Sequence, residues 1–182
     1  MDSKEFQITR ERSLTRGWLY TISHPDWQDL EPSFAVAAAP DPASLQGDAA
    51  PDSDSSHSVA APDPAAIRDA IESVINEHTR REITEGFRYD FENGRGPCRV
   101  WLSAENQANY ASYLKAVELG AESVTLKVED AEGAVCYAKV PAADYPRFYL
   151  AMVQHIQSQI QSGWTQKDSI DYTHLAALAS KA

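Results

Sequence analysis

The chain carries none of the short motifs that mark the common active sites. It has no GxxxxGKS/T phosphate loop, no GxGxxG after a strand, no HExxH, no CxxC and no GxSxG. Phosphate-cradling, helical zinc and nucleophile-elbow chemistries therefore have no sequence support, and no catalytic, cofactor-binding or metal-binding residue is assigned. Cysteine is nearly missing. Cys98 and Cys136 lie far apart, each in a strand-like stretch, and read as two small buried apolar residues rather than a disulfide or a thiol catalyst. Positive charge is absent from Gly17 to Ile67, where eight acidic side chains have no Lys or Arg among them, and the whole chain carries a formal charge of −11. Nucleic acid, which is bound by releasing counterions to Lys and Arg, is a poor partner for such a surface. No apolar run approaches the ~20 residues that span a bilayer, and MDSKEFQITRER lacks the basic-then-apolar order of a signal peptide. A soluble, intracellular protein with no membrane partner is expected.

What is present centres on Gly86 to Tyr113, GFRYDFENGRGPCRVWLSAENQANYASY. Phe87, Tyr89 and Phe91 alternate with Arg88 and Asp90, as on a half-buried strand. Asn93-Gly94-Arg95-Gly96 tolerates positive φ, and Cys98 to Leu102 alternates again, so the pair reads as a β-hairpin. Ser103 stands at an N-cap, with Glu105 in the first helical turn, where a carboxylate meets the positive end of the helix dipole. The helix from Ala104 to Leu119 is expected to place Ala108, Ala111, Leu114 and Val117 or Glu118 along one side, with Tyr110 and Tyr113 beside them and Gly120 as the left-handed residue after it. Val124 to Val128 and Ala134 to Val140 form a second hairpin around Asp130-Ala131-Glu132-Gly133, and Pro141 ends it.

Two further helices flank these hairpins. Asp63-Pro64 opens one with an N-cap carboxylate and a proline at the first helical position, and Ile67, Ile71, Val74, Ile75 and His78 give it one stripe. Asp144 to Ser162 fits the i, i+3, i+4, i+7 template, with Gly163 as its stop and a short last helix from Thr165 through Tyr172. HLAALASKA is a candidate for one more docked turn. The expected fold is α+β, a small antiparallel sheet of two hairpins with helices packed on it. It occupies residues 63–182. Residues 35–62, rich in Pro, Ala and Asp, read as an acidic, disordered linker that a nonspecific protease should cut first. Residues 1–34 form an aromatic segment that either packs back as an extra strand or docks on another protein.

The order GFRYDFENG, VWLSAENQANY and GWTQKDSIDYT resembles a domain-of-unknown-function family of tailed phages and prophages, often encoded near tail-fibre genes. The resemblance runs over roughly Ile67 to Thr173 and implies an α+β domain in a phage context, within the bacterial cytoplasm, but no catalytic residues. It implies a non-enzymatic tail-associated protein, foremost a tail-fibre assembly chaperone binding a fibre subunit. The alternatives are a small structural component of the tail or baseplate, present in the virion tail, and an enzyme of unknown chemistry. The partner is then a tail-fibre or other tail protein, with a homo-oligomer open. Candidate partner-binding residues are Trp18, Tyr20 and Trp27 in the aromatic segment, Trp101 at the end of the hairpin, and Glu105, Asn106 and Gln107 at the helix start. The last three also suit capping and hydrogen bonds from helix to hairpin. His78 and His155 are the one histidine pair that two meeting helices could join, though a partly buried structural role suits each.

Overall fold

The computed structural model describes residues 7–13, 17–25, 34–37, 63–92, 96–179 and 181. The chain is α+β and divides into two compact units, Met1–Asn76 with Thr165–Ala182, and Glu77–Trp164. The boundary falls within two helices, α1 (Pro64–Glu85) and α3 (Tyr145–Asp168). No described helix is long and apolar enough to cross a membrane.

In the first unit the N-terminal segment builds an antiparallel sheet of β1 (Gln7–Ser13), β2 (Gly17–Ser23) and β3 (Phe34–Ala37), in that order. Ile8 stands opposite Ile22, and Tyr20 opposite Val36. Tyr20 and Ile22, two residues apart and so on one face, join Ile67, Ile71 and Ile75 of α1 with Ile170 and Leu175 in one core. The isoleucines recur every four residues and put one stripe of α1 into it. Asp63 caps α1, its Oδ1 accepting the Ala65 N–H at 3.0 Å. Ala35 to Ala37, read from composition as the start of the linker, instead pair along β2. The open edge of β2 supplies backbone partners that outweigh the weak strand preference of alanine. The rest of the expected linker, 38–62, lies outside the described residues.

The second unit holds β4 (Phe87–Asp90), β5 (Pro97–Val100), β6 (Ser123–Glu129) and β7 (Val135–Pro141), all antiparallel, in the order β4-β5-β6-β7. The expected hairpins are both present, although 93–95 of the first turn fall outside the described residues. One sheet face, carrying Cys98, Val100, Leu126, Val128, Ala138 and Val140, is buried in a core that also holds Tyr110, Tyr145, Phe148 and Met152. Phe148 sits in the middle, with the Tyr89, Tyr145, Phe91 and Tyr110 rings 5.3 to 5.6 Å away. Cys98 is fully buried and Cys136 partly so.

Two helices depart from their expected form. In α2 (Ala104–Glu118), Tyr110 is buried and Tyr113, Leu114 and Val117 are partly so, while Ala108 and Ala111 face water. The larger side chains at i, i+3, i+4 and i+7 remove more apolar surface than the alanines and so set the helix rotation. In α3, Gly163 does not stop the helix, which continues to Asp168. A Cβ on Gly163 would lie 2.5 Å from Thr79 Oγ1 of α1, so the glycine marks a close helix approach. The last helix therefore starts later, as α4 (Tyr172–Ala179). Asp171 Oδ1 caps it, accepting from Thr173 N at 3.1 Å and His174 N at 3.0 Å.

Candidate functional site

The sequence-derived candidates separate in the structure. Trp27 lies outside the described residues, and Trp18 is placed in β2 opposite Arg12. Tyr20 is only 2% exposed, inside the core of the first unit. The other four sit together where β5 leads into α2, a partly buried junction built on hydrogen bonds. Asn106 N donates to Ser103 Oγ at 3.2 Å, Asn106 Nδ2 donates to the Trp101 carbonyl at 3.2 Å, and Gln107 Nε2 donates to the Leu102 carbonyl at 2.7 Å. Tyr110 Oη donates to the same Trp101 carbonyl at 3.3 Å. The carbonyls leaving the strand have no further strand to pair with, and these side chains stand in for one. Trp101 is partly exposed and Glu105 exposed.

His78 and His155 have separate partners. His78 Nε2 lies 3.6 Å from Glu82 Oε1 on its own helix, and the His155 ring stacks on Phe87 at 5.4 Å. Among the described residues no three His, Cys, Asp or Glu side chains are gathered as a metal ion would need.

Sequence reasoning missed the outer edge of the second sheet. Asp130 N donates to the Ala134 carbonyl at 2.9 Å and Ala142 N to the Glu122 carbonyl at 2.9 Å, which brackets the β6–β7 ladder with two hydrogen-bonded pairs. Such pairs alternate along an antiparallel ladder, so Cys136, Ala138 and Val140 direct their N–H and C=O groups to β6. Val135, Tyr137 and Lys139 therefore direct theirs away from the sheet, and β7 is its edge. The same three side chains are exposed, Val135 at 54% and Tyr137 at 69%. Lys127 stands directly opposite Tyr137, and Thr125 opposite Lys139.

At the Lys139–Pro141 end of β7 opens a cavity of about 310 Å³, lined by Tyr89, Phe91, Glu92, Lys139, Val140, Pro141, Asp144 and Arg147. Glu92 is the one described non-glycine residue with positive φ, 55°. Its N–H donates to Asp90 Oδ1 at 2.8 Å, and its carboxylate accepts from Arg147 Nη2 at 2.8 Å. That hydrogen bond, and then one to Tyr89, raises the pKa of Arg147 above the usual guanidinium value. The cavity thus combines the Tyr89 and Phe91 rings with two cations, Lys139 and Arg147, and two carboxylates, Glu92 and Asp144. Strand alternation marks Tyr137 as outward-facing, but that β7 is an edge depends on strand order, which the sequence does not carry.

Comparison with family models, with curated proteins and with solved structures finds no match for this chain.

Proposed function

We propose that this protein is a non-enzymatic binding protein of a tailed phage or prophage, an assembly factor that holds an extended segment of a tail-fibre subunit along β7. The observation that carries the reading is the coincidence, on one edge strand, of outward N–H and C=O groups with the exposed Val135 and Tyr137 side chains. Strand addition draws affinity from main-chain hydrogen bonds and specificity from pockets beside them. The cavity at the end of β7 suits such a pocket, its Tyr89 and Phe91 rings set among the balanced charges of Lys139, Arg147, Glu92 and Asp144. The phage setting comes from the motif resemblance in GFRYDFENG, VWLSAENQANY and GWTQKDSIDYT.

The test is a pull-down with tagged full-length protein from cells producing the tail proteins of its parent element, alongside Tyr137→Lys and Tyr137→Pro. Because the Tyr137 N–H points outward, proline there removes a donor that the sheet does not use, so the variant keeps its internal ladder. The expected result is capture of a fibre subunit by the wild type, loss of capture by both variants at unchanged circular dichroism, and absence of the protein from purified particles. Stoichiometric presence in particles would make it a tail component. Failure to capture any tail protein would overturn the reading.

A further inference from the structure

The edge that β7 offers is uneven from end to end. On the solvent face Glu129 of β6 stands opposite Val135, Lys127 opposite Tyr137 and Thr125 opposite Lys139. Lys127, Tyr137 and Lys139 are all exposed, and no described carboxylate forms an ion pair with either lysine. The face beside β7 therefore passes from a carboxylate at its Val135 end to two lysines at its Lys139 end. The cavity at that second end does not cancel the difference. Glu92 and Arg147 there bond each other and Asp144 balances Lys139, which leaves Lys127 as an excess cation beside Tyr137.

Every neighbouring pair in this sheet is antiparallel, the ladder type with the slightly more stable pairing. An antiparallel strand added to β7 puts one residue directly opposite each of Val135, Tyr137 and Lys139. Those side chains share the solvent face, with Cβ atoms about 4.5–5.5 Å from their β7 partners. Because the strands run oppositely, the residue facing Lys139 precedes by two the residue facing Tyr137, and by four the residue facing Val135. Opposite charges in such pairs attract, like charges repel, and an aromatic ring pairs well with a β-branched side chain. Two strand spacings, about 10 Å at the backbone, separate the client residue from Lys127, a gap that two long side chains cross. On the premise of strand addition at β7, we infer that the client is an extended acidic segment. It reads acid, x, apolar, x, apolar from N to C, its Asp or Glu set against Lys139 and its β-branched residues against Tyr137 and Val135. The reverse order would carry the carboxylate to the Glu129 end, where it is repelled.

The full-length chain, 20.1 kDa, is titrated with three synthetic peptides and followed by amide NMR signals. The first peptide, Thr-Thr-Glu-Thr-Val-Thr-Val-Thr-Thr, carries the inferred order, the second replaces its Glu by Lys, and the third is the first written backwards. The expected result is that the first peptide shifts the Val135, Tyr137 and Lys139 amides, while the second and third bind roughly fivefold more weakly. On Lys139→Glu the order of the Glu and Lys peptides reverses, and high salt flattens it on the wild type. Equal binding of the Glu and Lys peptides, or an unchanged order on Lys139→Glu, overturns the acidic client and leaves strand addition standing. Tighter binding of the backward peptide overturns the antiparallel order. Binding of no peptide overturns the inference as a whole, while capture of a fibre subunit still tests strand addition. If instead Tyr137→Pro binds the first peptide as the wild type does, strand addition itself fails.

Discussion

Gly86 joins α1 to β4 with φ +82°, and a Cβ built on it would lie 1.7 Å from the Val100 carbonyl oxygen and 2.7 Å from its carbon. Gly133, in the β6–β7 turn, has almost the same φ, +83°, but a Cβ there meets nothing within 4 Å. The two glycines separate backbone conformation from close approach. At Gly133→Ala only the left-handed penalty of about 1–2 kcal/mol applies, offset by the smaller entropy of the unfolded alanine chain, about 0.4–1 kcal/mol. A net loss of about 1 kcal/mol is expected. At Gly86→Ala the same term applies, and two backbones must also part by more than 1 Å to reach the 3.0 Å that real Cβ contacts respect. That movement breaks the Phe87–Val100 pair at the end of the ladder and displaces Val100 and Leu102, both at 0% exposure. Broken hydrogen bonds and disturbed packing bring the total to about 3–5 kcal/mol, the upper end for single substitutions. With two compact units, one global signal does not isolate the event. Hydrogen exchange of β4 and β5 amides in denaturant does, with Gly133→Ala as the reference. A difference of less than about 1 kcal/mol between the two variants would show that the close approach of Gly86 to Val100 carries no weight.

Five other substitutions probe the packing and the candidate residues. Gly163→Ala should cost about 1–2 kcal/mol by overpacking against Thr79 Oγ1, despite alanine's better helix propensity. Adding Thr79→Ala should restore wild-type stability in a double-mutant cycle, because the next contact, Thr79 Cβ, is 3.6 Å away. Gln107→Ala should lose about 1 kcal/mol in chemical denaturation by orphaning the Leu102 carbonyl, while Glu105→Ala changes little, and neither should alter capture of a tail protein. Tyr145→Phe removes the bond from Tyr145 Oη to the Tyr110 carbonyl, 2.8 Å and buried, and should cost about 1–2 kcal/mol. Burial pushes the Tyr110 phenol up to about 12 and the Tyr145 phenol higher still. Unfolded phenols ionise near pH 10, so above that pH the unfolded chain releases protons that the folded chain retains. Stability is then fully present below pH 10 and falls as pH rises toward 12. Phenolate absorbance should therefore appear for these two tyrosines only with loss of the far-ultraviolet helix signal.

The parts legible in the sequence were those set by local chemistry. The alternation at Phe87, Tyr89 and Phe91, the Asp63 and Ser103 caps and the Asp130–Gly133 turn all depend on neighbours within a few residues, and each appears in the structure. Asp130 Oδ1 alone accepts the N–H groups of Glu132 and Ala134, a turn that needs no tertiary support. Gly163 was misread because a glycine that ends a helix and one that admits a neighbouring helix look identical until Thr79 is placed beside it. Tyr20 was ambiguous for the same reason: an aromatic strand residue suits a core or an interface equally, and only α1 across from it distinguishes them. Trp164 lost its place on α3 with the misreading of Gly163.

Strand addition along β7 uses the in-plane N–H and C=O groups of Val135, Tyr137 and Lys139, whereas Cys136, Ala138 and Val140 direct theirs to β6. Tyr137→Pro should therefore abolish binding of an extended client peptide while leaving hydrogen exchange along the β6–β7 ladder unchanged, whereas Ala138→Pro removes a ladder bond and should destabilise the edge itself. If Tyr137→Pro bound the peptide as well as the wild type does, main-chain pairing along β7 would be the wrong account of its exposed edge.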